Sequence, residues 1–336
     1  MTVQSTDTVA PAAIARQGGH LDRYKGFVQQ AMVLLTLVIL VILFSILNPA
    51  FISWNNITAL LLAAVVTAVQ AIGMTFVIAT GGIDLTPGLG MAATAVVTAL
   101  LMTKAGMPIV VGVLGGIAAG ALIGLINGVL IAKIRMQPMI ATLSMMMVCW
   151  GAALVMSGGR NLSLRSITGY DQIAIGQIIP DLYNAILILI VLAVIAGIVM
   201  NKTVIGRYAL AIGSNKEATR ISGINTARWE ILAYVICGIF TGISGILMSS
   251  RLSAAVPTTG QGYEMYAIAA SVIGGTSLRG GRASIFGAVI GAVTIQTIFN
   301  GLTVLGIQDQ WQKAVLGVVL LVAVFVDIMR RGGKEE

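Results

Sequence analysis

Asp84 lies between glycines and a proline in a part of the chain that carries no other charge. No acidic or basic residue occurs from Gly26 to Ile83 or from Leu85 to Thr103. A carboxylate in such a setting either binds an ion or a polar substrate inside a membrane, or marks the start of a helix. Comparing these two interpretations requires a topology for the chain.

Groups suited to catalysis or metal binding are scarce. The single histidine, His20, is in a polar N-terminal tail, and Cys149 and Cys237 lie inside apolar runs, so neither a metal site nor a disulfide framework is predicted. The chain also has no phosphate-binding loop of the form G-x-x-x-x-G-K-[S/T]. We therefore expect no enzymatic activity, no cofactor and no ATP hydrolysis by this chain alone.

The composition indicates a membrane protein. The 336 residues are 57% hydrophobic and 10% charged, with a mean hydropathy of +0.97, whereas soluble domains carry roughly 25% charged residues. The isoelectric point near 9.8 does not indicate nucleic-acid binding, because the basic residues fall in short clusters between apolar runs. The fold class predicted is an all-α polytopic membrane protein.

Apolar runs separated by glycine, proline and charged breaks predict about ten transmembrane helices, since a span needs about 20 residues. The predicted spans are 28–48, 57–80, 86–103, 108–132, 138–157, 184–201, 229–249, 265–278, 284–306 and 311–328. This divides the chain into a tail (1–27), one transmembrane domain (28–328) with a long loop at 202–228, and a second tail (329–336). The first run is interpreted as a membrane span and not as a removed signal peptide.

The basic residues predict the orientation, because cytoplasmic loops carry an excess of lysine and arginine. With the N-terminus in the cytoplasm, 15 of the 20 basic residues fall on cytoplasmic segments and 5 on external ones. An even number of spans then places both termini in the cytoplasm. Loop 202–228 becomes cytoplasmic, and loops 158–183 and 250–264 become external.

This topology places Asp84 at the cytoplasmic turn before the third span. Thr86 and Pro87 fit an N-cap followed by proline at the first helical position, and Asp84 would favour the positive end of that helix. The other interpretation is an ion- or substrate-binding carboxylate near a broken helix. It is favoured by the turn glycines Gly81, Gly82 and Gly88.

Two glycine-rich stretches resemble each other. GIAAGALIGLINGVLIAKI (116–134) and GAVIGAVTIQTIFNGLTVLGI (287–307) both lead into Asn-Gly, at Asn127 and Asn300, and are predicted to run in opposite directions. That arrangement predicts an inverted repeat, as in many transporters. The alternative is that the small residues serve only helix packing.

The loop 202–228 contains the signals of a short helix. Ser214 and Glu217 have the spacing of a capping box, and Gly223 is placed to end the helix, which predicts a helix at about 215–222. Such a helix is either a docking element for a cytoplasmic partner or a connector on the membrane surface.

The chain resembles the permease subunits of bacterial ATP-binding-cassette importers for monosaccharides, the ribose/galactoside/arabinose permease family. Four stretches carry the resemblance: GMTFVIATGGIDLTPG (73–88), NGVLIAKIRMQPMIATL (127–143), GRYALAIGSNKEATRISGIN (206–225) and RLSAAVPTTGQGYEMYAIAASVIGGTSLRGG (251–281). It extends from about residue 30 to 328. The family usually has Ser-Val where this chain has Thr86-Pro87.

The resemblance implies a sugar permease, with ribose the favoured substrate, that forms a homodimer in the bacterial inner membrane. It implies a separate ATPase subunit that binds ATP and Mg, and a periplasmic or surface sugar-binding protein. The docking loop would supply Ser214, Asn215, Glu217, Ala218, Arg220 and Gly223. Alternatives are an amino-acid or signalling-molecule permease of the same superfamily and an ion-coupled secondary transporter.

Polar residues inside the predicted spans are candidates for a translocation path. They are Gln70, Thr75, Asn127, Thr142, Gln296 and Asn300. The alternative is that these side chains form hydrogen bonds between helices.

Overall fold

The computed structural model describes residues 19–329, and within them the chain is mostly helical. The helices are α1 (Gly19–Leu47), α2 (Trp54–Ala79), α3 (Pro87–Thr103), α4 (Ile109–Ala132), α5 (Pro138–Ser157), α6 (Gln172–Ile175), α7 (Asn184–Lys202), α8 (Val204–Ser214), α9 (Lys216–Ile221), α10 (Thr226–Leu252), α11 (Tyr263–Ile273), α12 (Ile285–Val304) and α13 (Asp309–Met329). A 3-10 helix (Pro49–Ile52) precedes α2, and the strands are β1 (Leu162–Ser163) and β2 (Ala254–Ala255). Most of both predicted tails lies outside the described residues.

α2 is the central helix of the bundle. It packs against α7, α10, α11 and α12. In α2, 89% of the most apolar 18-residue window is buried, against 22% of that window in α4 and in α5. A helix that is apolar all round must be covered by protein or by lipid. Protein therefore covers α2, whereas α4 and α5 present apolar side chains such as Val110 and Val155 to their surroundings.

A helix lies at each of the ten predicted spans. Six of the described helices, namely α2, α4, α5, α7, α10 and α12, are long and apolar enough to cross a membrane. α3 has 17 residues, the lower limit for a membrane-spanning helix, and α11 has 11, which is shorter than a full crossing by helix alone requires. The chain is therefore a polytopic helical membrane protein, as predicted from its composition.

Glycines bring α4 into direct backbone contact with α10. They recur every fourth residue along one face of α4, and the buried ones include Gly120 and Gly124. A Cβ atom at position 120 would overlap the carbonyl oxygen of Gly238, and one at position 124 would overlap the carbonyl oxygen of Tyr234. The helix-packing interpretation of these small residues is confirmed.

The loops gather at two ends of the bundle. At one end β1 pairs antiparallel with β2, with Leu162 opposite Ala255, which joins loops 158–183 and 250–264. At the other end the loop after α11 contacts the ends of α2 and α8 through Gly281 and Gly213. Loops predicted on the same side of the membrane are therefore together, and the absolute orientation stays a prediction.

Candidate functional site

The segment 80–86, between α2 and α3, turns back into the bundle instead of ending at its surface. The Gln70 Nε2 atom donates a hydrogen bond to the Pro87 carbonyl oxygen at 3.1 Å. Gln70 lies nine residues before the end of α2, about 14 Å along the helix axis. The non-helical segment therefore runs back beside α2 before α3 begins, and we call it the re-entrant segment.

Asp84 is buried at the inner end of this segment, with 2% of its surface exposed. The prediction that it lies at the face of the membrane domain is wrong. Local sequence marked the break between the helices, but it could not show that the break folds inward over α2.

Neutral donors surround the Asp84 carboxylate. Its Oδ1 atom accepts hydrogen bonds from the Thr86 backbone N–H at 2.9 Å and from Asn127 Nδ2 at 3.4 Å. The Cys237 thiol lies beside the same carboxylate. Among the residues that the structure describes, the ion pairs are Lys216–Glu230 and Arg220–Glu217, and Asp84 takes part in neither. We call Asp84, Thr86, Asn127 and Cys237 the Asp84 cluster.

The cluster ties together helices that are distant in sequence. Asn127 Nδ2 donates to Thr86 Oγ1 at 2.7 Å, and that hydroxyl donates to the Thr142 carbonyl oxygen at 3.3 Å. Thr86 therefore connects the start of α3 to α4 and α5, and Cys237 brings α10 into the cluster. The Asn127 Oδ1 atom is buried without a hydrogen-bond partner.

The prediction that the Thr86 side chain caps α3 is wrong. Thr86 occupies the N-cap position, but its hydroxyl makes no capping hydrogen bond, because it bonds Asn127 and the carbonyl of Thr142 instead. The helix-start role of Asp84 stays a prediction, and its carboxylate accepts the Thr86 N–H just before α3. Pro87 is in the first turn of α3, as predicted.

The six predicted path residues do not form one group. Asn127 and Thr142 meet at the Asp84 cluster, and Gln70 contacts the start of α3. The other three residues form hydrogen bonds elsewhere. Thr75 Oγ1 donates to Ala71 O and Ser271 Oγ, Gln296 Nε2 donates to Thr67 Oγ1, and the side-chain amides of Asn300 and Asn56 donate to each other. Most of these contacts are hydrogen bonds between elements, which fits the packing alternative, and the path assignment stays a prediction.

The loop 202–228 folds into two helices, and the sequence predicted only the second. α9 begins at Lys216 and not with a capping box: Asn215 is the N-cap and accepts from the Ala218 N–H at 2.9 Å. Ser214 Oγ donates to the Leu210 carbonyl oxygen, so it belongs to the last turn of α8. The capping-box prediction is wrong because α8 extends to Ser214 and moves the cap by one residue.

Glu217 points away from the cap and pairs with Arg220, with 2.6 Å between Oε1 and Nη2. The hydrogen bond from the Arg220 guanidinium holds the pKa of the Glu217 carboxyl below its ordinary value. Gly223 has a φ of +84° just after the helix, as its predicted role as a terminator requires.

α9 combines an exposed surface with firm attachment to the bundle. Ile221 is 76% exposed. On the opposite side Thr219 is buried, and Lys216 Nζ lies 2.7 Å from Glu230 Oε1 of α10. Beside α9, a cleft of about 1100 Å³ extends to Gly82 at the start of the re-entrant segment.

Tyr234, Cys237 and Gly213 were not identified from the sequence. The Tyr234 hydroxyl lies 3.5 Å from the Ile83 carbonyl oxygen, and a Cβ at position 82 would lie 2.6 Å from that hydroxyl. Tyr234 and Cys237 come from α10, more than 140 positions after the re-entrant segment that they contact. The only local signal was a tyrosine and a cysteine one turn apart in an apolar helix.

Known proteins match nearly the whole chain. A family model described as "Branched-chain amino acid transport system / permease component" matches residues 56–324. The ribose import permease of Bacillus subtilis (strain 168) is 41% identical over 309 residues, covering 92% of this chain and 94% of that protein. The ribose import permease of Escherichia coli (strain K12) is 38% identical, covering 90% of this chain and 95% of that protein.

Relatives with other sugars in their names also match. The D-allose transport system permease of Escherichia coli (strain K12) is 34% identical over 295 residues, covering 87% of this chain and 89% of that protein. No solved structure matches the chain. With six helices that can each cross a bilayer and these relatives, the protein is a multi-pass protein of the bacterial inner membrane. The chain belongs to the permease components of ATP-binding-cassette transport systems.

Proposed function

We propose that this chain is the membrane subunit of an ATP-driven importer whose substrate is ribose. The observation that carries the proposal is the similarity to ribose import permeases over more than nine-tenths of their length. The chain would form the translocation path, and a sugar-binding protein outside the cytoplasm would deliver the ribose. Gln70, Thr75, Asn127, Thr142, Gln296 and Asn300 remain candidates for side chains that face this path in another conformation.

The substrate can be tested by uptake. The chain would be produced with its ATPase and binding protein in a host that lacks its own ribose importer, and uptake of labelled ribose would be measured. We expect uptake that unlabelled ribose competes away more strongly than allose or arabinose does. Equal or stronger competition by another monosaccharide would reject ribose and retain the sugar class.

An amino-acid permease is the second candidate, because the description of the matching family model names branched-chain amino acids. Leucine uptake in the same host would favour it. An ion-coupled transporter is less well supported, because the buried carboxylates of the described residues already have protein partners. Asp84 accepts from Thr86 and Asn127, Glu264 accepts from the Gly262 N–H, and Glu230 pairs with Lys216. Uptake that collapses with the ion gradient while ATP is held constant would favour that class.

We further propose ten membrane crossings with both termini in the cytoplasm, and loops 158–183 and 250–264 outside. The basic residues support this orientation. Arg165→Cys and Ser222→Cys should react with an impermeant thiol reagent from opposite sides, and the native thiols add little background because Cys149 and Cys237 are buried. Labelling from one side only would reject the topology.

α9 is the proposed dock for a separate ATPase, which would bind ATP and Mg, in a complex that contains two copies of the permease. A short helix that is fixed to α10 by Lys216 and presents Ile221 outward can pass on a movement of its partner. A flexible loop would absorb that movement. Ser214, Asn215, Glu217, Ala218, Arg220 and Gly223 would build or border this surface.

The dock can be tested with one exposed isoleucine against another. Ile221→Glu should prevent the ATPase from co-purifying with the permease, because a charge would face the apolar part of the contact. Ile178→Glu changes a residue that is 80% exposed in the predicted external loop and should leave the complex intact. If Ile221→Glu retains the ATPase as well as Ile178→Glu does, α9 is a connector only.

A further inference from the structure

Three chain segments meet at glycines beside α9. They are the end of α2 at Gly81, the end of α8 at Gly213, and the loop between α11 and α12 at Gly280 and Gly281. The Gly281 N–H donates a hydrogen bond to the Ala79 carbonyl oxygen at 3.0 Å. We call these four glycines the glycine junction.

Backbone contacts backbone throughout the junction. A Cβ atom at position 213 would overlap the Ala79 carbonyl oxygen and the Gly281 nitrogen, and would lie 2.9 Å from the Gly280 Cα atom. A Cβ at position 280 would lie 2.7 Å from the Gly213 Cα atom and 2.8 Å from the Gly81 nitrogen. No side chain is interposed that could change rotamer and absorb a displacement, so the contact is stiff.

The loop on the third side of the junction is itself tightly folded. The Ser277 N–H donates to the Arg282 carbonyl oxygen at 3.1 Å, and the Gly280 N–H donates to the Ser277 carbonyl oxygen at 2.8 Å. Gly280 and Gly281 have φ values of +83° and +75°, which other residues rarely adopt. The loop can therefore move as a unit, and α12 begins three residues beyond it, at Ile285.

The junction lies directly between the exposed helix and the buried carboxylate. α8 ends at Ser214 and α9 begins at Lys216, so only Asn215 separates Gly213 and its neighbour from the docking helix. On the other side, Gly81 is the second residue of the re-entrant segment, which also contains Asp84 and ends at Thr86. One contact thus connects α9 to the Asp84 cluster.

We propose that the glycine junction transmits movement of α9 to the re-entrant segment and to the loop before α12, and that Gly213 is a positioning residue for ATP-coupled transport. The proposal rests on α9 being the ATPase dock. In this mechanism α8 and α9 move together, and Gly213 displaces Ala79 and Gly281 directly. The re-entrant segment then shifts against α4, where Asn127 donates to Asp84, and against α10, where Cys237 lies beside it.

Hydrogen exchange on the wild-type complex, in nanodiscs with its ATPase and binding protein, tests the proposal. Assembly with the ATPase should slow the exchange of amides in 216–221. Addition of a non-hydrolysable ATP analogue should then change exchange in both 80–86 and 276–282 by about threefold or more. Protection of 216–221 with unchanged exchange in 80–86 would overturn the junction alone, whereas no protection of 216–221 would overturn the dock and the junction with it.

A matched pair of helical glycines supplies a second test. Gly213→Ala introduces a methyl group into the junction, and Gly197→Ala introduces one in α7 where no atom lies within 4 Å. Gly213→Ala should retain ATPase binding and basal ATP hydrolysis but lower the sugar transported per ATP by at least about fivefold. It should also abolish the analogue-dependent change in 80–86, whereas Gly197→Ala should behave as wild type.

Equal coupling by the two variants would refute the role of Gly213. If Gly213→Ala fails to assemble, the wild-type exchange at 80–86 still decides between transmission and a purely structural contact.

Discussion

Asp84 and Glu217 are both carboxylates beside the start of a helix, and their surroundings are opposite. Asp84 has 2% of its surface exposed and accepts from the backbone of Thr86 and the amide of Asn127. Glu217 is exposed and pairs with Arg220 one turn away. The same chemical group therefore joins buried parts of the tertiary structure in one place and lies on an exposed surface in the other.

The difference follows from the cost of desolvation. A buried acceptor that loses its donor, or a buried donor that loses its acceptor, has no water to replace it, so each such loss costs about 1–3 kcal/mol. An exposed ion pair exchanges its partner for water at little cost. Changes around Asp84 should therefore alter stability, and changes in α9 should alter binding while leaving stability unchanged.

The largest effect is expected from Asp84→Leu. The Thr86 N–H would lose its acceptor, and the Asn127 amide would lose one of its two acceptors. The variant should therefore be less stable by about 2–4 kcal/mol. Thermal inactivation of the purified permease in detergent would measure this loss. Wild-type stability of Asp84→Leu would show that these hydrogen bonds contribute nothing and would remove the contrast with Glu217.

A smaller loss is expected from Gly120→Ala, which tests the packing beside the cluster. The new methyl group would overlap the Gly238 carbonyl oxygen, and backbone cannot move aside as a side chain can, so the cost should be about 1–3 kcal/mol. Gly151→Ala in α5, where no atom lies within 4 Å, is the control in the same assay. Equal melting temperatures for the two variants would contradict the close approach of α4 and α10.

Asp84→Asn should change stability by less than about 1 kcal/mol, because the amide oxygen can still accept from the Thr86 N–H. Ribose uptake should stay close to wild type at normal membrane abundance. Near-complete loss of uptake with normal abundance would instead identify a transport role that needs the carboxylate itself.

The smallest effect on stability is expected from Glu217→Gln and from pH. Arg220 lowers the pKa of Glu217 from its ordinary value of 4.5. A lowered folded-state pKa stabilises above the unfolded-state value and ceases to do so as the pH falls through the folded-state value. The pair should therefore add no pH dependence between pH 8 and 5, and melting curves of Glu217→Gln and wild type should run parallel there. Curves that diverge in this range would contradict the exposed environment of Glu217.

Helix positions, the breaks between them and the membrane class were predictable because they depend on local properties. Apolar length, glycine and proline act on their own stretch of chain, and a helix lies at each predicted span. Gly223 was predictable for the same reason, since a left-handed residue after a short helix favours glycine. The packing role of the glycines in α4 also follows from their spacing.

The site itself was only partly predictable. The sequence singled out Asp84, Thr86, Asn127 and Thr142 one by one, but not their contact with each other. It placed Asp84 at the membrane face, gave Thr86 a capping bond that it does not make, and set the start of α9 one residue early. The first two errors concern polar groups with partners far along the chain, whereas the third is local, because α8 extends to Ser214.

The sequence by itself determined which segments are helical and apolar, where the chain breaks, and which family it belongs to. Only the tertiary structure decided that the break at 80–86 folds inward, that Cys237 and Asn127 meet Asp84, and that Gly213 contacts Ala79 and Gly281. The physical reason is distance along the chain. The contacts of Asp84 and Gly213 join residues 43 to 153 positions apart, and their energy depends on the close approach of whole helices, which no local pattern specifies.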